Sequence, residues 1–204
     1  MSLIICYYSQ AISNKKLSLT YRIFSAIIST DCTFRERKGH YTAVMPQHGK
    51  HTMREEITLR EMEIRDYEKV HRLWMEIHGF GIRSIDDSKE GIGRFMERNP
   101  HISVVACDGE EIVGTILCGH DGRTGCFYHV CVRESYRKQG IGHAMAVWCM
   151  RALQAEGINK VSLIAYTSNE TGNAFWHRVG WVERDDVNYY DFVLNDRNIT
   201  RFNA

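Results

Sequence analysis

The run Val130-Cys131-Val132-Arg133-Glu134-Ser135-Tyr136-Arg137-Lys138-Gln139-Gly140-Ile141-Gly142-His143-Ala144 joins a β-branched strand ending, a basic turn with two glycines and the start of an apolar helical pattern. That order aims free backbone N–H groups and the positive end of a helix dipole at one point, beside Arg137 and Lys138. Chemically it is a cradle for a pyrophosphate. Three kinds of ligand use such a cradle, and spacing separates them. A P-loop has two glycines separated by four residues, then Lys and Ser/Thr; here Gly142 is followed by His143 and Ala144. A dinucleotide fingerprint has a third glycine three residues after the second, and an acidic ribose partner roughly 20 residues further on. Those positions hold Met145 and the pair Ser162 and Leu163. What remains is Arg-x-x-Gly-x-Gly on Arg137, Gly140 and Gly142, preceded by Val-x-Val on Val130 and Val132.

On both sides of this run the apolar spacing alternates between strand and helix periods. Ile141 to Glu156 reads as a long helix with Ile141, Met145, Trp148 and Ala152 on one face and Gly157 as its stop. Upstream, Cys126 to Val132 reads as a strand. Ile102 to Cys107 and Glu111 to Cys118 are two more, joined by the hairpin signal Asp108-Gly109-Glu110. Asp66 to His78 sets Val70, Leu73, Trp74 and Ile77 at i, i+3, i+4 and i+7, one stripe of a helix. Ser88 to Asn99 is a second helix, stopped by Pro100. Met53 to Arg60 alternates like a first strand. Downstream, Lys160 to Tyr166 is a strand and Thr171 to Val179 a short helix ending at Gly180. Trp181 to Arg184 and Tyr189 to Leu194 are expected to close the chain as strands.

The chain has 204 residues, 44% hydrophobic and 25% charged, the balance of a globular protein with one proper core. Its seven cysteines are scattered, odd in number and without the close pairs of a zinc ligand set, so a reducing, cytoplasmic setting is expected and a disulfide framework is not. No apolar run reaches the ~20 residues that span a bilayer, and Met1 to Lys16 lacks the pattern of a signal peptide. Residues 1–52 differ from the rest. They carry seven Lys/Arg against Asp31 and Glu36, whereas the remainder holds 19 basic and 23 acidic side chains. Leu17 to Ile28 is apolar enough for one helix or strand, and Gly39 to His51 has no periodicity. The reading is an N-terminal extension over 1–52, a solvated basic segment with no nucleic-acid or membrane role expected, followed by one domain over 53–204. A mildly acidic domain suits a cationic amine.

The order β-α-α-β-β-β-α-β-α-β-β, with Arg-x-x-Gly-x-Gly after Val-x-Val, resembles the GCN5-related N-acetyltransferase (GNAT) superfamily, in which this motif holds coenzyme A. A second element supports the resemblance. Asn169-Glu170-Thr171-Gly172-Asn173-Ala174-Phe175-Trp176-His177-Arg178-Val179-Gly180-Trp181 matches the Asn-x-x-Ala, aromatic, Gly-Phe pattern of many relatives, with Gly172 at the Ala position. Through His120-Asp121-Gly122-Arg123 and the strand after it, the chain is most similar to small bacterial members. The resemblance covers residues 53–204. It implies an α/β (α+β) fold whose central sheet is mixed and mostly antiparallel. About seven strands are expected, splayed between the fourth and fifth, with about four flanking helices.

It also implies an activity, direct acetyl transfer from acetyl-CoA to a primary amine of a small molecule or protein, without a metal and by a monomer or homodimer. The alternative is a non-catalytic acyl-CoA-binding module. Pantetheine would lie in the splay against the backbone of Val130 and Val132, and the amides from Lys138 to Gly142 would take the pyrophosphate. The cofactor contacts so assigned are Val130, Val132, Arg137, Lys138, Gln139, Gly140, Ile141, Gly142, His143, Asn169 and Trp176. A lysine-type amine has a pKa near ~10.4 and must lose a proton to react. The Val130 N–H is the expected donor to the carbonyl oxygen. The Tyr that serves as acid in many relatives is replaced by Trp176, whose indole donates a hydrogen bond but no proton. His177 lies one residue, roughly 100°, round the helix from that line. The Glu of histone-acetylating relatives aligns with Cys126, and the Glu of ribosomal-protein-acetylating relatives with Ile164. Tyr128 and then His120 are the candidate proton handlers. By strand alternation Tyr128 shares a face with Cys126, while His129 points the other way, under a helix. Trp74, His78 and Phe80 are candidates for the acceptor wall.

Overall fold

The computed structural model describes residues 57–203 together with the backbone of 33–37 and 40–44. Every described element belongs to one compact unit, residues 31–204. A seven-stranded sheet forms its spine, built from β1 (Thr33–Arg37), β2 (His40–Val44), β3 (Thr58–Glu61), β5 (Val104–Asp108), β6 (Glu111–His120), β7 (Gly125–Val132) and β8 (Val161–Leu163), side by side in that order. Every neighbouring pair is antiparallel except β7 and β8, which run parallel. The fold is therefore the mixed, mostly antiparallel sheet implied by the sequence, with four helices among the described residues against it.

The helices follow their sequence signals closely. α1 (Tyr67–Glu76) follows a short 3-10 turn, Ile64–Asp66, at which the Asp66 carboxylate accepts from the Glu63 N–H at 2.9 Å, and it buries Val70, Leu73 and Trp74 completely. α2 (Lys89–Arg98) starts where the Ser88 hydroxyl accepts from the Gly91 N–H and stops at Asn99, before Pro100. α3 (Ile141–Ala155) buries Ile141, Met145, Trp148, Cys149 and Leu153, and Gly157 in the left-handed region ends it. α4 (Glu170–Arg178) is short. One face of the sheet packs against α3 and α4 through Leu59, Val113, Ile116 and Phe127. The other packs against α1 and α2 through Val105, Ile112, Leu117 and Cys131. Each large side chain buried in these two layers stabilises the fold by about 1.5–3 kcal/mol relative to exposure.

Several expectations need correction. The sheet continues into β1 and β2, which lie inside the segment read as an N-terminal extension, and His40–Val44 is a strand despite its lack of alternation. Pairing to β3 supplies the order that the side-chain pattern did not announce. The possible element at Leu17 to Ile28 lies outside the described residues. The last two expected strands do not form. Residues 181–199 contain no strand, and Tyr190, Phe192 and Leu194 are 85%, 86% and 93% exposed. Their alternation is suited to a strand, but strand propensity expresses packing against a partner, and none is present among the described residues. The chain instead closes with β9 (Thr200–Phe202), which pairs with the equally unannounced β4 (Gly81–Arg83) in a separate ribbon. This ribbon fixes the loop after α1. Asn203 Nδ2 donates to the carbonyls of Trp74 at 2.6 Å and Ile77 at 3.0 Å, while Asn198 Oδ1 accepts from the Ile85 N–H at 2.9 Å.

Candidate active site

β7 and β8 pair only through Gly125, Cys126 and Phe127, opposite Val161, Ser162 and Leu163. From Tyr128 onward β7 has no strand partner on that side among the described residues, so the sheet opens there. On its other side the register against β6 slips: Tyr128 faces Leu117 and Cys131 faces Thr115. His129 and Val130 thus stand together opposite Ile116, the two-against-one arrangement of a β-bulge. His129 absorbs the extra residue with a φ of +48°. That left-handed conformation costs a residue with a Cβ about 1–2 kcal/mol.

The bulge reverses the alternation of side chains. Tyr128 lies on the α1/α2 face, its ring 5.7 Å from Phe95, and shares that face with Cys126 as expected. An unbroken strand would send His129 toward α3. Instead its ring packs 4.4 Å from Trp74 and 5.1 Å from Phe80, on the same face as Tyr128. The expectation that the two side chains point apart is overturned, although His129 does lie under a helix. Val130 and Val132 pack against the α3 layer.

Past Val132 the chain makes a short 3-10 turn over Glu134–Tyr136, anchored by a 2.8 Å bond from the Tyr136 hydroxyl to Asp108. Arg137 turns back so that its Nε donates to the Val132 carbonyl at 3.1 Å, and Gln139 donates to the Ser135 carbonyl at 3.3 Å. Lys138 and Gly140 both take left-handed φ, +62° and +82°. Left-handed residues in a turn curl successive N–H groups to one side, a concavity that attracts anions. The first bond into α3 runs from the Ala144 N–H to the Gly140 carbonyl. Among the described residues, the N–H groups from Lys138 to His143 have no hydrogen-bond acceptor. The helix dipole adds positive potential at the same place, as do the exposed Arg137 and Lys138. Space is tight behind the turn: a Cβ on Gly142 would lie 3.3 Å from Phe175 Cζ and 3.7 Å from Val132 Cγ2. Burial lowers the pKa of the half-buried His143 beside it, favouring the neutral ring. Ile141 is core, 2% exposed.

The remaining sequence candidates are not gathered at this point. Asn169 caps α4, its Oδ1 accepting from the Gly172 N–H at 2.9 Å. This cap also explains the departure at Gly172, where a Cβ would lie 2.5 Å from Asn169 Nδ2. Trp176 is buried among Phe127, Phe175 and Trp181, so Phe175 rather than Trp176 reaches the turn. His120 sits at the closed end of the sheet, paired with Gly125. Its Nε2 contacts Glu156 at 2.8 Å and its Nδ1 accepts from the Gly122 N–H at 3.0 Å. With Nδ1 accepting, Nε2 is the protonated nitrogen, and no lone pair is left for chemistry. Burial pushes the Tyr128 phenol well above its ordinary range, helped by the nearby thiols of Cys126 and Cys118 and the phenol of Tyr189. Tyr128 therefore stays protonated, fit to donate a hydrogen bond but not to collect a proton. Trp74 is core and Phe80 half-buried against His129, while His78 is exposed. No cluster of three or more potential metal ligands occurs among the described residues.

One pairing escaped sequence reasoning. His129 Nε2 lies 2.6 Å from Asp87 Oδ1, and the other oxygen of Asp87 accepts from the Arg83 N–H at 2.6 Å. Asp87 is 5% exposed, and its carbonyl accepts from the Tyr67 hydroxyl at 2.9 Å. The two residues are 42 positions apart, and Asp86-Asp87-Ser88 reads in sequence as nothing more than the start of a helix.

Comparison with known proteins bears on what this arrangement is. The family model described as "Acetyltransferase (GNAT) family" matches residues 58–181. An acetyltransferase of Sodalis glossinidius is 30% identical over 131 residues, covering 62% of this chain and 91% of that protein. Among solved structures, the PaiA N-acetyltransferase from Thermoplasma acidophilum in complex with coenzyme A superposes with a TM-score of 0.52. It shares 15% identity, over 60% of this chain and 87% of that one. An aminoglycoside acetyltransferase from an uncultured soil metagenomic sample, in complex with sisomicin, superposes with a TM-score of 0.55. It shares 16% identity, over 68% of this chain and 97% of that one. These two likenesses are of fold.

Proposed function

The chain belongs to the GNAT family of acetyltransferases, and from that premise we propose that it moves an acetyl group from acetyl-CoA directly onto a primary amine of a small molecule or a protein. One observation carries this reading: the sheet opens beyond Phe127 immediately beside the amides of Lys138 to His143, which lack acceptors among the described residues. An extended pantetheine arm fits along the free edge of β7, where backbone groups rather than side chains recognise it. A pyrophosphate fits the turn, with Arg137 and Lys138 adding charge. Phe175 and Gly142 bound the passage between them. Asn169 and Trp176 contribute by holding α4 against this wall rather than by touching the ligand. At the bulge, the Val130 N–H donates to the carbonyl oxygen as negative charge develops, and Tyr128 donates a hydrogen bond in the same cleft. A mildly acidic domain is suited to attract a cationic acceptor, and the setting proposed is cytoplasmic.

The test is acetyl-CoA with a panel of polyamines, aminoglycosides and lysine-terminated peptides, read by release of free thiol. Saturable turnover on at least one amine is expected. Saturable acetyl-CoA binding with no turnover on any amine would instead indicate a non-catalytic binding module.

A further inference from the structure

We infer that His129, held by Asp87, is the base that takes the proton from the acceptor amine. The inference rests on the acetyl-transfer reading above and deepens it. His129 is adjacent to Val130, on the part of β7 that β8 leaves uncovered. Its Nε2 is tied at 2.6 Å to a buried carboxylate whose second oxygen is itself held by the Arg83 N–H. That arrangement fixes the tautomer: Nε2 carries the hydrogen and donates it to Asp87, leaving Nδ1 as a lone pair. Nδ1 has no partner among the described residues, and the side chain keeps 16% of its surface exposed. Trp74 and Phe80 lie against the ring and set its plane. A histidine held in the left-handed region is a strained residue, and strain of this kind gathers at functional sites. The sequence candidates do not compete, since both nitrogens of His120 are occupied and the Tyr128 phenol stays protonated.

In the step itself, Nδ1 takes one proton from the ammonium, and the freed amine nitrogen bonds to the thioester carbon. As the C–N bond forms and the C–S bond breaks, the second nitrogen proton passes to the departing thiolate. The products are the amide, free coenzyme A and an imidazolium that returns its proton to solvent. Asp87 is a positioning residue, acting only through His129.

The test uses the full chain and the amine turned over fastest in the panel. His129→Asn suits the left-handed backbone, and it is expected to lower kcat/KM for the amine by about 10²–10³-fold with the acetyl-CoA Kd within about twofold. It should also abolish the acid limb of the pH–rate profile, because only the unprotonated base accepts a proton. The other titratable groups on the elements around the ring are Tyr67 and His71 on α1, which pack toward Trp74 and Asp87, Arg83, Asp86 and Asp87 before α2, and Tyr128 on β7. Asp87→Asn is expected to displace the limb, which separates it from these neighbours. His129→Gly, also tolerated at this φ, is expected to regain rate with added imidazole. A His129→Asn variant that keeps the limb and more than a third of the rate would overturn the assignment. So would parallel loss of acetyl-CoA binding and activity in both variants, the mark of a merely structural clamp. Absence of turnover by the wild-type chain would overturn the acetyl-transfer reading, and the base with it.

Discussion

Replacing Gly140 with Ala separates the proposed binding role of the turn from its part in stability. Gly140 caps α3 with a φ of +82° and has no side-chain cap to share the work. An alanine there either tolerates the left-handed region at about 1–2 kcal/mol or rotates out of it. Rotation swings the following amides away from their common focus. A hydrogen bond from an amide to a charged phosphate is worth about 1.5–3 kcal/mol, so each one lost weakens binding by roughly 10- to 100-fold. α3 itself is held by buried Ile141, Met145, Trp148 and Leu153 and will not unfold. At about 2–4 °C per kcal/mol for a chain of this size, the expected fall in Tm is only a few degrees. Gly157 provides a matched control. It has a φ of +78° at the opposite end of the same helix, and a Cβ added there would meet nothing within 4 Å. Gly157→Ala should therefore lower Tm similarly and leave acetyl-CoA affinity alone. Isothermal titration and thermal unfolding of both variants decide the matter. Equal Kd for acetyl-CoA in the two would refute the assignment of the turn.

Three further outcomes are expected. His120→Ala, which breaks contacts at the closed end of the sheet, should keep kcat within about threefold while lowering stability by about 1 kcal/mol, measured by steady-state kinetics and urea unfolding. Tyr128→Phe should retain the acid limb of the pH–rate profile, because the raised phenol pKa keeps Tyr128 protonated throughout that range; disappearance of the limb would make Tyr128 the base. Asp66 gives a pH prediction for stability. Burial raises its pKa, but the hydrogen bonds from Arg60 and the Glu63 N–H outweigh burial and leave it lowered. A lowered folded pKa means the stabilisation is complete above the unfolded value, near ~3.9, and is lost as pH falls through the folded one. Urea unfolding should show a decline below about pH 4 that Asp66→Asn flattens.

Much of this molecule follows from local sequence because its elements are specified by local chemistry. The stripe Val70, Leu73, Trp74, the Ser88 cap and the Gly157 stop each lie within a few residues of what they control, and the four described helices appear close to where those signals put them. The turn before α3 was equally legible, since Lys138 to His143 are consecutive and amides without acceptors among the described residues follow from a turn entering a helix. Legibility ended where a partner distant in sequence decides the outcome. Tyr189 to Leu194 alternates like a strand yet has no edge to join among the described residues, whereas His40–Val44 lacks alternation and is ordered by β3. Trp176 has the composition of a ligand wall but is enclosed by Phe127 and Trp181.

The amino-acid order alone determined the family, the helix boundaries and the glycine turn before α3, because hydrophobic period, caps and glycine placement act over a single turn of chain. Tertiary structure alone decided which face His129 occupies. A one-residue slip between β6 and β7 reverses every side chain beyond it, and only the packed sheet fixes that register. The same slip brings the imidazole to Asp87, 42 residues earlier in the chain, on a loop that β9 and Asn198 hold in place.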